Sequence, residues 1–273
     1  MSTIDLLAFG FAGAVTGMVG ALLGLGGGVF LVPLLSIGFH LPFRTAVAAS
    51  LVAVIATSCT TTIINMRRGL VNTPLAFTLL LATSVGAQAG GSLAQHISTQ
   101  ALFVLFAATL IAVAIVVTSR SRMRNVIEDP SMDVGWLGGR LVEEGKTLSY
   151  VMKRLPFAMT VSLIAGAISG LLGVGGGVIQ VPILNSFCGI PIRVAAATSA
   201  YMIGPTAAVS AFPYLSRGDL DPLITAAIAL GSLPGSAAGT WLSRRMDVRS
   251  IKGVLATALV LVALRLLVAA IGM

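Results

Sequence analysis

The sequence predicts an all-α polytopic membrane protein made of two inverted repeats, each a glycine-broken re-entrant helical hairpin followed by three transmembrane helices. Composition, an internal duplication and the charges of the loops support this prediction. Of the 273 residues, 56% are hydrophobic and 10% are charged, and the mean hydropathy is +1.00. A soluble domain carries about 25% charged residues, and a transmembrane helix needs about 20 predominantly apolar ones, a length that recurs along this chain.

The internal duplication is centred on a glycine-rich stretch that occurs twice. Residues 24–33 read Gly-Leu-Gly-Gly-Gly-Val-Phe-Leu-Val-Pro, and residues 173–182 read Gly-Val-Gly-Gly-Gly-Val-Ile-Gln-Val-Pro, 149 positions later. This register continues without a gap and predicts two repeats, 1–118 and 155–273, joined by a cytoplasmic linker, 119–154. Further pairs in the same register are Pro42 and Pro191, Arg44 and Arg193, Ser50 and Ser199, Thr57 and Thr206, and Gly69 and Gly218.

The first element is an apolar segment over 4–23, which the glycines separate from a second apolar segment too short to span, 29–39. Glycines and Pro33 interrupt helical hydrogen bonding, so 4–39 is either a re-entrant hairpin or one long tilted span with an extended tail. The remaining predicted segments are 43–66, 73–95 and 101–118, then a second broken segment over 155–188, and finally 192–215, 222–243 and 253–271.

The loop charges favour the hairpin. The 67–72 turn carries two arginines and no acid, whereas its repeat counterpart, 216–221, carries one arginine and two aspartates. Conversely, 95–103 has no formal charge, and its counterpart, 244–252, carries four basic residues and one acid. By the positive-inside rule, 67–72, 119–154 and 244–252 are cytoplasmic, so equivalent loops face opposite sides. Inversion needs an odd number of crossings per half, whereas four full spans per half would make the repeats parallel.

The linker, 119–154, carries seven basic and five acidic residues. Its 140–154 part is expected to be either an amphipathic surface helix or a solvated linker. The net charge of +8 does not predict nucleic-acid binding, because no basic face with interleaved aromatics exists. Cys59 and Cys188 do not occupy equivalent positions and are interpreted as small core residues. The first apolar segment lacks the features of a signal peptide and is expected to be retained.

The glycine turns are the first candidate substrate site. Non-helical backbone at membrane depth persists only where it is buried in protein or lines a cavity, and helix N-termini attract anions. A turn lining a cavity has room for a side chain, so Gly27→Val or Gly176→Val is expected to block binding while leaving the fold intact. The alternative is that the glycines permit close helix packing, which accounts well for Gly86, Gly90, Gly235 and Gly239. The candidate residues are Gly24, Gly26, Gly27, Gly28, Gly173, Gly175, Gly176 and Gly177.

Hydroxyls and arginines are the other candidates. Hydroxyls can replace water around an oxyanion, or can bond back to their own helix or to a neighbour. Arginines at equivalent span starts could attract an anion at each mouth, or could snorkel as ordinary interfacial residues. An arginine within the last predicted span is a functional-site hypothesis by default. The hydroxyl candidates are Ser50, Thr57, Ser199 and Thr206, and the arginine candidates are Arg44, Arg193 and Arg265.

Apart from Asp5, at the very start of the 4–23 segment, no Asp or Glu lies inside any predicted span, and His40 and His96 lie at segment ends. The sequence therefore predicts no catalytic dyad, no metal site and no cofactor, which argues against an enzyme. The usual carboxylate proton relay of transporters is also missing. An anion carrier of this kind could run on the membrane potential, which drives an anion outward by about 2.3 kcal/mol per charge per 100 mV.

The doubled glycine motif, with Pro-Phe-Arg-Thr-Ala at 42–46 and Pro-Ile-Arg-Val-Ala at 191–195, resembles the TauE/SafE sulfite-exporter family over nearly the whole chain. The resemblance implies a multi-pass protein of the bacterial inner membrane that exports sulfite, sulfoacetate or a related organosulfonate. The function expected is therefore alternating access around the two glycine breaks, with a small anion and the lipid bilayer as partners. Whether the protein forms a homodimer is left open by the sequence. The alternative is a non-transporting sensor or assembly module acting through 119–154.

Overall fold

The computed structural model describes residues 3–119, 134–143, 146–243, 245 and 248–271, which form ten α-helices and one β-hairpin. A π-helical turn, Leu34–Gly38, prolongs α2, and a 3-10 turn, Ala94–His96, follows α4. Six of the described helices, α1, α3, α4, α5, α6 and α9, are long and apolar enough to cross a membrane. The chain is therefore an all-α polytopic membrane protein, as predicted. The helices are α1 (Thr3–Leu23), α2 (Gly28–Pro33), α3 (Phe43–Met66), α4 (Thr73–Leu93), α5 (Thr99–Ser119), α6 (Leu155–Leu172), α7 (Gly177–Ser186), α8 (Ile192–Ser216), α9 (Pro222–Ser243) and α10 (Val248–Ile271).

Each glycine-broken segment folds back on itself. The ring of Phe9, early in α1, lies 4.6 Å from that of Phe39, which follows α2. In the second half, the rings of Phe157 and Phe187, at the two ends of α6–α7, are 5.6 Å apart. The chain therefore reverses direction at each glycine turn.

Helices that precede the linker pack against helices that follow it. Helix α1 packs along α9, and the equivalent α6 packs along α4, while α3 packs on α8 and α5 on α10. The α1–α9 and α4–α6 contacts leave no room for side chains at their glycines, because a Cβ added at Gly235 would overlap the carbonyl oxygen of Ala14, and one at Gly86 would overlap that of Leu163. Small residues serve this purpose in membrane helices.

Three segments that are far apart in the sequence meet at one end of the bundle. Arg68 follows α3, Ser243 ends α9, and Leu141 belongs to the linker, yet all three line the same cavity. We call this the hairpin end, after the β-hairpin of the linker that lies there. At the opposite end, which we call the Tyr214 end, Arg217 after α8 donates hydrogen bonds to the carbonyl oxygen of Gly91.

The linker forms a β-hairpin, so the expectation of an amphipathic helix over 140–154 is wrong. Strands β1 (Gly139–Glu143) and β2 (Lys146–Tyr150) pair antiparallel, with Leu141 opposite Leu148. Leu141 and Tyr150 are 6% and 5% exposed and join the same buried cluster as Leu75 in α4, so a wholly solvated linker is also wrong. Residues 120–133 lie outside the described part of the chain.

Asn72, in the turn before α4, fastens this hairpin to the bundle. Its side-chain oxygen accepts from the Leu75 amide and caps α4, as asparagine does at helix N-termini. Its Nδ2 donates to the carbonyl oxygen of Leu137 at 2.9 Å and to the hydroxyl of Tyr150 at 3.3 Å. Burial raises the pKa of Tyr150, against the opposing effect of the Asn72 hydrogen bond, so the phenol stays protonated at neutral pH.

Candidate functional site

The two glycine turns meet at the centre of the bundle. A Cβ added at Gly177 would lie 3.0 Å from the carbonyl oxygen of Gly24, and one added at Gly28 would overlap the carbonyl oxygen of Gly173. Helices α2 and α7 begin at Gly28 and Gly177, as the sequence predicts. The fold therefore brings the two glycine turns into direct backbone contact.

Val54 and Ile203 lie against both turns. Added Cβ atoms at Gly26 and at Gly175 would both contact Val54 of α3 and Ile203 of α8. Val54 and Ile203 are themselves one repeat apart and lie midway along their helices. The turns therefore flank the centre of α3 and α8, at mid-depth in the bundle.

The turns are more crowded than expected. Gly27 has a φ of +84°, and its Cβ would lie 2.9 Å from the carbonyl oxygen of Thr16, so the expectation that Gly27→Val leaves the fold intact is wrong. Gly176 has more space, since its nearest neighbour, the Ala165 carbonyl oxygen, would be 3.6 Å away, but its φ of +76° still disfavours a side chain.

A cavity of about 340 Å³ leads from the hairpin end to the first glycine turn. Its inner wall is Gly24 with the last residues of α1, which are largely buried. Towards the hairpin end it is lined by Arg68, Leu70 and Arg193, which are half-buried. The cavity therefore opens at the hairpin end and closes at the glycine turn.

The polar groups of this cavity suit an oxyanion. Two guanidinium groups line it, and no Asp or Glu does among the described residues. Hydroxyl and amide side chains from α3 and α9 complete the polar wall and can donate hydrogen bonds to oxygen. These polar residues are Arg68, Arg193, Thr61, Asn65, Thr240 and Ser243.

Of the residues predicted from the sequence, Arg193 and Gly24 line the cavity, whereas its other polar lining residues were not among the candidates. A signal was present, because Thr61 and Asn65 are four residues apart on one face of α3, and Arg68 follows Asn65 by three residues. Thr240 and Ser243 are likewise three apart at the end of α9; Thr240 Oγ1 donates to the carbonyl oxygen of Ser236 at 2.7 Å and lies 3.5 Å from Thr61 Oγ1. None of them has an identical counterpart in the other repeat except Arg68, so a search for repeated residues passes over them.

The predicted hydroxyls have protein partners and do not line the cavity. Ser50 Oγ donates to the carbonyl oxygen of Gly173 at 2.9 Å, which ties α3 to the second glycine turn. Ser199 Oγ donates to the side-chain oxygen of Gln180 at 3.2 Å. Thr57 bonds back to its own helix, and Thr206 donates to Thr83 Oγ1 at 3.2 Å.

The three predicted arginines lie in three different places. Arg193 lines the cavity at the hairpin end. Arg44, its repeat counterpart, lies at the Tyr214 end, where its guanidinium donates to the carbonyl oxygen of Gln95 at 3.0 Å. Arg265 is exposed on α10 and is not part of the cavity wall.

The family model described as "Sulfite exporter TauE/SafE" matches residues 9–266. The chain is 23% identical to the probable membrane transporter protein YunE of Bacillus subtilis (strain 168), over 98% of each chain. It is 27% identical to a probable membrane transporter protein of Haemophilus influenzae, over 80% of this chain and 75% of that one.

A shorter match joins the chain to a plant protein. Sulfite exporter TauE/SafE family protein 6 of Arabidopsis thaliana is 41% identical over 76 residues, 28% of this chain and 17% of that one. No solved structure matches the chain. With the family model covering almost every residue from α1 to α10, the chain belongs to the TauE/SafE sulfite exporter family of membrane transporters.

Proposed function

We propose that this transporter exports a small sulfur-containing oxyanion, such as sulfite, sulfoacetate or a related organosulfonate, across the bacterial inner membrane by alternating access. The observation that carries the proposal is the cavity that runs from the hairpin end to Gly24 with arginines and hydroxyls in its wall. The family name supports the substrate class, and the relatives' names support transport.

We propose that the two halves are inverted repeats around re-entrant hairpins. The reciprocal packing of α1 on α9 and of α6 on α4 supports this arrangement. The gathering of Arg68, the end of α9 and the linker at one end supports a cytoplasmic hairpin end by the positive-inside rule. The cavity then faces the cytoplasm, from which an exporter takes its substrate.

We assign the first contacts of the substrate to Arg193 and Arg68, whose guanidinium groups bind oxyanions in a planar, two-pronged geometry. Thr61 and Asn65 add hydrogen-bond donors nearer the glycine turn. Gly24 lines the cavity, and the eight predicted turn glycines are proposed to present backbone amides to the anion as the halves move apart. Ser50 and Ser199 act as ties beside these turns rather than as first contacts.

Flux into or out of proteoliposomes tests the function. Purified protein is reconstituted and uptake of radiolabelled sulfite or sulfoacetate is measured with an imposed potential of either sign. We expect a saturable flux that reverses with the potential, because no acidic group lines the described cavity to carry a compensating proton. Absence of flux with every sulfite, sulfonate and related anion would favour the non-transporting sensor or assembly module.

Arg193→Gln, with Arg265→Gln as its matched control, tests the site. The first substitution removes a charge from the cavity and is expected to raise KM about tenfold or more, the usual effect of one charge-assisted hydrogen bond. The second removes an exposed charge outside the cavity and is expected to leave KM unchanged. Equal effects of the two variants would place the substrate elsewhere.

A further inference from the structure

The two ends of the bundle are built from equivalent positions but are filled differently. The 149-residue register pairs Asn65 with Tyr214 and Arg68 with Arg217. At the hairpin end, Asn65 and Arg68 line the cavity. At the other end, Tyr214 is 1% exposed and belongs to the main buried cluster. The larger side chain therefore occupies the volume that the repeat leaves open at the hairpin end.

Tyr214 is hydrogen-bonded to the segment that leads into the second glycine turn. Its hydroxyl donates to the carbonyl oxygen of Gly170 at 2.9 Å and to that of Leu171 at 3.3 Å. Both carbonyls belong to the last turn of α6, where helix carbonyls lack intrahelical partners. Any movement of the end of α8 away from α6 must break these bonds.

Arg217 packs on Tyr214 and bonds to a neighbouring helix. Its guanidinium lies over the Tyr214 ring, 4.7 Å from the centroid, and donates at 3.3 Å to the carbonyl oxygen of Gly91 in α4. Asp219 pairs with it at 3.2 Å. The end of α8 is thereby fastened to α4 and α6 together.

Neighbouring residues fill the remaining space. Val47 and Phe43 are 0% and 5% exposed, whereas their repeat counterparts at the hairpin end, Ala196 and Ile192, line the cavity. At three equivalent positions the Tyr214 end thus carries the larger side chain: tyrosine in place of asparagine, valine in place of alanine and phenylalanine in place of isoleucine.

We propose that Tyr214, latched by Arg217, is the gate that closes the outward half of the transport pathway. The gate rests on the proposed alternating-access function, since it has a purpose only if this end opens. Its link to the last turn of α6 gives the second glycine turn a direct mechanical connection to the gate. Opening exchanges the Tyr214 bonds for water and exposes Ser210, the repeat counterpart of the cavity residue Thr61.

Cysteine accessibility tests the gate without substrate or membrane. Ser210→Cys, in a Cys59→Ser background, reports the Tyr214 end, and Thr61→Cys reports the hairpin end, both by maleimide labelling of purified protein. Tyr214→Asn, which copies the residue of the first repeat, is expected to raise the labelling rate at position 210 about tenfold or more, because a buried thiol reacts only through local opening. Tyr214→Phe, which keeps the ring and loses the two hydrogen bonds, is expected to give a smaller rise.

The reciprocal variant is the matched control. Asn65→Tyr places the same ring in the open cavity and is expected to slow labelling at position 61 while leaving position 210 protected. Size-exclusion profiles and melting temperatures identify any variant that fails to fold. If position 210 stays protected in both folded Tyr214 variants, Tyr214 is not the gate. If position 210 becomes accessible while proteoliposome flux is absent, Tyr214 does close this end of the bundle, but the proposed transport function is wrong.

Discussion

Gly27 and Gly176 occupy equivalent positions, yet they differ in the room that a methyl group would find. A Cβ at Gly27 would lie 2.9 Å from a backbone oxygen, whereas one at Gly176 would have nothing nearer than 3.6 Å. Both have positive φ, which costs an L-residue about 1–2 kcal/mol. Gly176→Ala should lose about that much stability and Gly27→Ala clearly more, measured as the shift in melting temperature. Equal shifts would show that backbone strain alone governs both sites.

Cys188 should react very slowly although it is a free thiol. It is 0% exposed, and burial raises its pKa to about 11, against an opposing effect of Arg154. Because the thiolate is the nucleophile, we expect maleimide labelling near pH 7.5 to be about 100-fold slower in the folded than in the denatured protein. The rate should rise with pH beyond the range in which an ordinary thiol has already ionised. Fast labelling of the folded Cys59→Ser variant would contradict this.

The repeat points to residues that the two halves share and passes over residues in which the two ends of the bundle differ. Gly24 and Arg193 recur in both halves, and both line the cavity. Asn65 does not recur, because tyrosine stands at its equivalent position. A functional asymmetry between repeats is invisible to a search for what the repeats share, and the difference emerges only once the two ends are compared in three dimensions.

At the scale of elements, the side chain of Asn72 links the β-hairpin to α4 by hydrogen bonds. Asn72→Ala removes the cap of α4 and the hydrogen bonds to Leu137 and Tyr150. We expect a loss of about 1–3 kcal/mol, as for a cap lost together with a buried hydrogen bond. Limited proteolysis should then cut the linker faster while the helices stay protected. Asn72→Asp, which keeps the capping oxygen and loses the donor, separates the two effects.

The ends of the long helices could be predicted closely from the sequence, whereas the β-hairpin of the linker could not. Long apolar runs ended by Gly69 or Gly218 leave little freedom in where α3 and α8 stop, and the predicted and observed ends differ by at most one residue. The two strands are five residues each, too short for a clear alternating pattern, and their positions depend on contacts with Asn72 and α4. Tertiary contacts, rather than local preference, decide that segment.

For the whole molecule, orientation is the property most open to direct measurement. Ser98 and Ser216 are exposed and belong to the Tyr214 end, whereas Arg68 and Arg245 follow α3 and α9 at the other end. Single cysteines at the first two positions should label from outside intact cells, and those at the last two should label only after permeabilisation. The reason is the basic charge of the hairpin end. Cytoplasmic protection of position 216 would end the inverted-repeat proposal.

Because α1 packs on α9, which is synthesised much later, the two helices can come into contact only after a delay during biosynthesis. The glycine-lined face of α1 packs on α9, and from Leu23 to Pro222 the ribosome must add about 200 residues, which takes about 10–40 s at ordinary elongation rates. During that interval α1 sits in the bilayer without its principal neighbour, and α4 waits a shorter time for α6. A truncated nascent chain ending before α9 should therefore be a ready substrate for membrane proteases, while one that includes α9 escapes them.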